Sequence, residues 1–186
     1  MDSQKVSIVV LNELSEVLKK VPNATTETFL TTIKKAPAIF VAGMGRSGYM
    51  ARAFTMRLMH LGLVAHFVGD TTTTTIKEGD LLIICSGSGE TKSLVNFAEK
   101  ATKLGAKLAL VTINPESTIA KLAEAVVELQ APVVKTSQQR LSEGSQPLGN
   151  LFEQSLLLYL DICSTILMEE LGESPESMML RHTNLE

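Results

Sequence analysis

Tryptophan is absent from the chain, and Phe, Tyr and Trp together make up only 4% of it. Rows of aromatics on which single-stranded nucleic acid could stack are therefore not available. Positive charge is not in excess either. Against 17 Lys and Arg stand 20 Asp and Glu, a net charge of −3 at pH 7. That balance lacks the electrostatic footprint of a nucleic-acid binder. Cysteine occurs only at Cys85 and Cys163, neither in a Cys-x-x-Cys pair nor near a histidine cluster. A zinc centre is not expected, and no metal is assigned. Both cysteines lie in apolar segments and read as buried free thiols of a reducing compartment. No apolar run approaches the roughly 20 residues of a membrane span. The start, Met1-Asp2-Ser3-Gln4-Lys5, has no basic patch followed by an apolar stretch, so no signal peptide is read there. The expectation is a soluble, cytoplasmic protein with neither nucleic acid nor membrane as partner.

What the chain does contain is patterned. Its 186 residues are 45% hydrophobic and 20% charged, the composition of one globular domain. Val6, Val9, Val10, Leu14, Val17, Leu18 and Val21 recur at helical spacing over residues 3–20, ahead of Pro22. Residues 25–36 read as a second helix, with Thr25 or Thr26 as its cap. The period then changes. Short apolar runs at 38–42, 64–68, 81–85, 108–112 and 126–129 read as strands. Helical patterns at 47–61, 90–104 and 117–125 lie between them. Strands alternating with helices of this length predict βαβ units, and continuous apolar strands predict a parallel sheet covered on both faces. The fold class expected is α/β, a three-layer doubly wound five-stranded parallel sheet flanked by helices. A polar loop at 131–147 precedes a helix over about 150–171, which Leu156-Leu157-Leu158-Tyr159-Leu160 makes apolar nearly all round. Such a helix is buried within a subunit or between subunits. One domain is expected over 1–186, with an N-terminal helical segment 1–36 and a C-terminal helix and tail 148–186.

Two glycine-rich loops each follow a strand and open a helix: Gly43-Met44-Gly45-Arg46-Ser47-Gly48 and Ser86-Gly87-Ser88-Gly89-Glu90-Thr91. Unpaired N–H groups at a helix start, at the positive end of its dipole, attract anions. Glycine lets the main chain approach the anion, and Ser86, Ser88 and Thr91 add three hydroxyls within six residues. Two such loops, after the first and third strands, flank the expected switch point of a doubly wound sheet. A phosphate is the ligand this predicts, against the plainer reading of tight turns with capping serines. The first loop alone also fits the dinucleotide pattern G-x-G-x-x-G, with Asp70 near the place of a ribose ligand. A nicotinamide-dependent reductase is therefore a rival reading, though it leaves the second loop unexplained.

Gly43-x-Gly45-x-Ser47 together with the serine-rich loop resembles the sugar isomerase (SIS) domain family. Met56-Arg57-Leu58-x-His60-x-Gly62, Pro147-Leu148-Gly149-x-x-Phe152-Glu153 and the ending His182-x-Asn184-Leu185-Glu186 extend the resemblance over nearly the whole chain. They are similar to the branch of that family acting on 3-hexulose 6-phosphate. The resemblance implies a flavodoxin-like five-stranded sheet, a homotetramer and no required cofactor. It implies interconversion of D-arabino-hex-3-ulose 6-phosphate and D-fructose 6-phosphate through an enediol, in the ribulose monophosphate route of formaldehyde fixation or detoxification. Another phosphosugar isomerase, or a non-catalytic sugar-phosphate-binding SIS protein, is the alternative. The run Thr71 to Thr75 is longer than the family pattern. It reads either as a solvated loop or as part of the substrate site.

The chemistry assigns roles to residues. Moving a ketone from C3 to C2 needs a proton taken from C2 and returned at C3, which one carboxylate among apolar groups can do. Glu153, just before the apolar run, is the candidate base, although Asn150-x-x-Glu153 also reads as a helix capping box. Glu90, at a helix start, is the poorer base because that position lowers its pKa. Arg46 is the candidate partner of the enediolate oxygen. His60 and His182 are candidates for proton transfer to oxygen. Gly45, Ser47, Ser86, Gly87, Ser88 and Thr91 are the candidate phosphate ligands. His66 is assigned nothing. Met44, Met50, Met56 and Met59 read as core filling.

Overall fold

A computed structural model of the chain describes residues 2–132 and 146–185. Most of the polar loop expected at 131–147 lies outside the described residues. Helix α1 (Ser3–Lys19) is capped by Asp2, whose carboxylate accepts from the Gln4 N–H at 3.0 Å. Helix α2 spans Asn23–Lys35. Then strands and helices alternate: β1 (Ile39–Gly43), α3 (Gly45–His60), β2 (Ala65–Phe67), β3 (Leu81–Cys85), α4 (Lys92–Lys103), β4 (Lys107–Thr112) and β5 (Ala125–Glu128). Helix α5 (Asn150–Glu170) and the short α6 (Pro175–Met179) follow.

The sheet order is β2-β1-β3-β4-β5, and every neighbouring pair is parallel. The α/β class and five-stranded parallel sheet predicted from the alternating pattern are what the chain forms. Period-two alternation divides the strand side chains between two cores. Ile39, Val41, Leu81, Ile83, Cys85, Ala109 and Val111 face α1, α2, α3 and α5. Phe40, Ala42, Leu82, Ile84, Leu108 and Leu110 face α4 and the turn around Ile119. Both thiols are buried and free, as expected.

Four local expectations are corrected. Helix α2 starts before Thr25 and Thr26, which lie inside it; Pro22 holds the cap position with no side-chain bond. The helix expected at 117–125 reduces to a single 3-10 turn, Ala120–Leu122. There Asn114 Oδ1 accepts from the Glu116 N–H and the Ser117 hydroxyl from the Ala120 N–H, so side chains compete with the helix ladder. Too few residues then remain before β5. Of the methionines, Met50 packs against the core, whereas Met44, Met56 and Met59 are exposed on α3 and on the turn before it. Finally, α5 is long and apolar enough to cross a membrane by length and composition, although half of that stretch is buried. Leu151, Phe152, Leu156, Tyr159, Leu160, Cys163 and Leu167 are its contribution to the core, which is the behaviour of a core helix.

The link between β2 and β3 carries no helix. Residues 68–80 cross the sheet as an irregular strap. The Thr73 hydroxyl donates to the Phe67 and Asp70 carbonyls, and the Thr74 hydroxyl meets His66 Nε2 at 3.2 Å.

Candidate active site

Gly43, which ends β1, is in register with Cys85, which ends β3. The two glycine-rich loops therefore leave the sheet side by side at the switch point, where open parallel sheets bind ligands. Gly48 is needed for the first loop's shape. A Cβ there would lie 2.7 Å from the Gly43 carbonyl oxygen, so only glycine lets α3 start this close to its strand. Helix α3 begins at Gly45, and its cap residue, Met44, makes no side-chain capping bond. Helix α4 begins at Lys92, and the hydroxyl of its cap residue, Thr91, makes none either. Both helix starts thus present first-turn N–H groups without a protein side-chain cap, and both dipoles favour an anion between them.

The second loop is a tight structure. The Ser86 hydroxyl accepts from the Gly89 N–H at 3.1 Å and the Ser88 hydroxyl from the Glu90 N–H at 3.2 Å. Ser86 is buried, Ser88 is exposed and Thr91 is half-buried. Gly89 has φ +64°, and a Cβ there would fall 2.1 Å from the Ser117 hydroxyl. The left-handed conformation and the contact both demand glycine.

Helix α5 completes the cluster. The Phe152 ring lies 3.3 Å from where a Gly87 side chain would begin, so α5 starts against the second loop. One residue on, the Glu153 carboxylate accepts from Arg46 Nε of the first loop at 2.5 Å. The two loops and the start of α5 thereby converge. Glu153 is only 17% exposed, whereas Arg46 is 55% exposed. The capping box read at Asn150 does not form. Gly149 is the cap residue, no side chain bonds there, and the Glu153 N–H donates to the Gly149 carbonyl at 3.0 Å. The Glu153 carboxylate is left for Arg46. Its setting is an ion pair, on a helix whose neighbouring Phe152 and Leu156 are buried in the core, rather than apolar groups alone.

His60 and His182 are brought together, but elsewhere. His60 lies fourteen positions beyond Arg46, about 21 Å along α3 at 1.5 Å per residue. The two imidazoles stack at 5.2 Å between ring centres. Arg57 Nη1 lies 3.3 Å from His60 Nδ1, and Arg181 donates to the His60 carbonyl at 3.0 Å. His60 is buried. Burial first, then the charge of Arg57 and the neighbouring His182, lower its pKa. Within one chain this pair does not share a site with Glu153.

Other expectations resolve differently. Asp70 is paired with Arg52 at 2.5 Å, and Arg52 in turn stacks over Phe67 at 3.8 Å. The ribose-ligand reading thus finds that carboxylate occupied. Thr73, Thr74 and Thr75 line a cleft of about 370 Å³ with Phe40, Val68 and Phe97, on the opposite sheet face from α3 and α5. His66 lies against Phe40 at 5.2 Å. Glu90 has its pKa lowered, as expected, but the leading cause is the Thr118 N–H, which donates to its carboxylate at 2.7 Å.

Sequence reasoning missed the segment after β4. The Thr112 hydroxyl donates to the Gly87 carbonyl at 3.0 Å, and Asn114 Nδ2 to the Ser88 carbonyl at 3.4 Å. With Ser117 and Thr118, this segment holds the second loop from behind. Its sequence signal was a polar turn with three hydroxyls, Thr112-Ile113-Asn114-Pro115-Glu116-Ser117-Thr118, at another carboxyl strand end.

Comparison with known proteins points the same way. The SIS domain model matches residues 32–148. A Bacillus subtilis protein named 3-hexulose-6-phosphate isomerase is 45% identical over 95% of each chain. A Mycobacterium gastri protein of the same name is 40% identical, over 96% of this chain and 88% of its own. A Methanococcus jannaschii crystal structure, described as implying that same function, superposes with a TM-score of 0.84 at 33% identity, over 98% of this chain and 99% of that one.

Proposed function

The chain belongs to the SIS domain family, and from that premise we propose that it has 6-phospho-3-hexuloisomerase activity, interconverting D-arabino-hex-3-ulose 6-phosphate and D-fructose 6-phosphate. The observation that carries the reading is the Arg46–Glu153 pair, held beside two helix starts without side-chain caps. The substrate phosphate is held by the first-turn N–H groups with Ser47, Ser86, Ser88 and Thr91, Gly45 and Gly87 allowing its approach. Glu153 takes the proton from C2. The C–H electron pair forms the C2=C3 bond, and the C3 carbonyl oxygen becomes an enediolate oxygen beside Arg46. The proton on the C2 hydroxyl leaves and C3 receives one, so the ketone ends at C2. Proton shifts alone balance the reaction, and no cofactor is required.

Phosphorylation at O6 prevents the 3-ketose from closing a five-membered ring, so the forward substrate is open-chain. A histidine acid serves mainly the reverse direction, where fructose 6-phosphate must open. Because His60 and His182 lie far from Glu153 in their own chain, that role belongs to the site of a neighbouring copy in a homotetramer. The metabolic setting proposed is formaldehyde fixation or detoxification by the ribulose monophosphate route, in the cytoplasm. Two buried free thiols accord with a reducing compartment.

The test generates 3-hexulose 6-phosphate in place from ribulose 5-phosphate, formaldehyde and a synthase, and follows fructose 6-phosphate with a coupled assay. Product is expected at enzymic rates in the presence of a chelator. Glu153→Gln is expected to lower kcat by about 10³-fold, the scale of losing a general base, with fructose 6-phosphate binding retained. Binding without product in the wild-type protein would refute the isomerase assignment and leave a sugar-phosphate sensor or an isomerase of another phosphosugar.

A further inference from the structure

The phosphate-loop reading leaves Glu90 without a task, and a carboxylate inside an anion-binding loop is at first sight a liability. The geometry points to a positioning role: we infer that Glu90 is the strut that braces the serine-rich loop against the segment following β4, keeping the loop in its phosphate-accepting shape. This rests on the proposal that the loop holds the substrate phosphate.

Three observations carry it. Glu90 Oε1 accepts from the Thr118 N–H at 2.7 Å, a contact spanning 28 residues of sequence, so it ties two segments rather than closing a local turn. The same two segments are joined by Thr112 to the Gly87 carbonyl, by Asn114 to the Ser88 carbonyl, and by the packing of Ser117 on Gly89. The carboxylate thus ends a ladder of contacts that runs along the back of the loop. Finally, its bond to Thr118 commits one carboxylate oxygen to the neighbouring segment.

A strut needs an oxygen acceptor but not a charge, which separates it from a base. Isothermal titration with fructose 6-phosphate and with inorganic phosphate, together with steady-state kinetics, provides the test on the full chain. Glu90→Ala is expected to weaken both ligands and raise KM about tenfold, the scale of one hydrogen bond, with kcat changed less than about threefold. Glu90→Gln, whose amide oxygen can accept the same N–H, is expected to recover most of that affinity. Should Glu90→Ala fail to fold, Asn114→Ala removes a second rung and is expected to shift KM in the same direction by a smaller factor. Unchanged KM in Glu90→Ala, or equal loss of kcat in the Ala and Gln variants, overturns the strut. Ser88→Ala serves as the control for the underlying reading. If it weakens phosphate binding while Glu90→Ala does not, the strut alone fails. If the wild-type protein binds neither ligand, the phosphate site and the strut fall together.

Discussion

At Ser155 a hydroxyl is buried in the packed face of α5 with no hydrogen-bond partner among the described residues. An unsatisfied buried hydroxyl costs free energy, so Ser155→Ala is expected to stabilise the protein by about 1 kcal/mol, raising Tm by about 2–4 °C. A thermal melt with unchanged activity checks it. Gly89→Ala is expected to act in the opposite sense. It puts a Cβ on a residue at φ +64° and into Ser117, so sugar-phosphate affinity and Tm both fall. His60 brings pH dependence. Its folded pKa is lowered by burial, Arg57 and His182, so over the interval below the unfolded value of about 6.5 the unfolded chain holds the extra proton. Stability then rises with pH. It is complete above that interval and declines as pH falls through it. Urea midpoints measured between pH 7.5 and 5.5 are expected to fall in the wild-type protein and to flatten in His60→Gln.

The turn that leads into α5 holds Leu148 at φ +54° with its side chain mostly exposed. A branched residue there carries strain on the order of 1 kcal/mol, and little packing opposes its removal. Leu148→Gly is expected to raise the urea midpoint with an unchanged m-value. Such turns are not legible in sequence, whereas β1 and β3 are. Their apolar runs, 38–42 between Pro37 and Gly43 and 81–85 between Asp80 and Ser86, are continuous, and both strands are fully buried in a parallel sheet. The loops they feed were equally legible, because their glycines and hydroxyls carry the signal locally. What stayed hidden depended on partners far along the chain. Asn150 and Glu153 satisfy the text of a capping box, but Arg46, 107 residues away, takes the carboxylate. Residues 117–125 have helical spacing, but hydrogen bonds from Asn114 and Ser117 stop the helix. His60 is assigned from its type, yet only the run of α3 shows that it lies about 21 Å along the helix from Arg46.

For the whole molecule, the edge strands β2 and β5 are short, three and four residues, which limits edge-to-edge pairing. Association has other surface to use. Residues 3–9 of the first helix are all exposed, Ile8 prominently, as are Leu11 on the same helix and Met56 and Met59 on α3. Apolar surface of this kind fits the proposed homotetramer. If a neighbour's histidine serves each site, activity across a dilution series should fall in step with the multimer measured by light scattering. Dissociation at undiminished rate would exclude a shared site. The two buried thiols have a further consequence, in time rather than in space. Burial pushes both up to about 12, so neither reacts with an alkylating reagent until the fold opens around it. Cys85 sits in the central strand β3 and Cys163 on α5, within one continuous core. Their labelling rates are therefore two clocks on the same structure. Equal rates at every urea concentration are expected, because α5 and the sheet share their packing. A faster clock at Cys163 would mean that α5 detaches first and carries the proposed base, Glu153, away with it, so that the proposed chemistry would be lost before the fold.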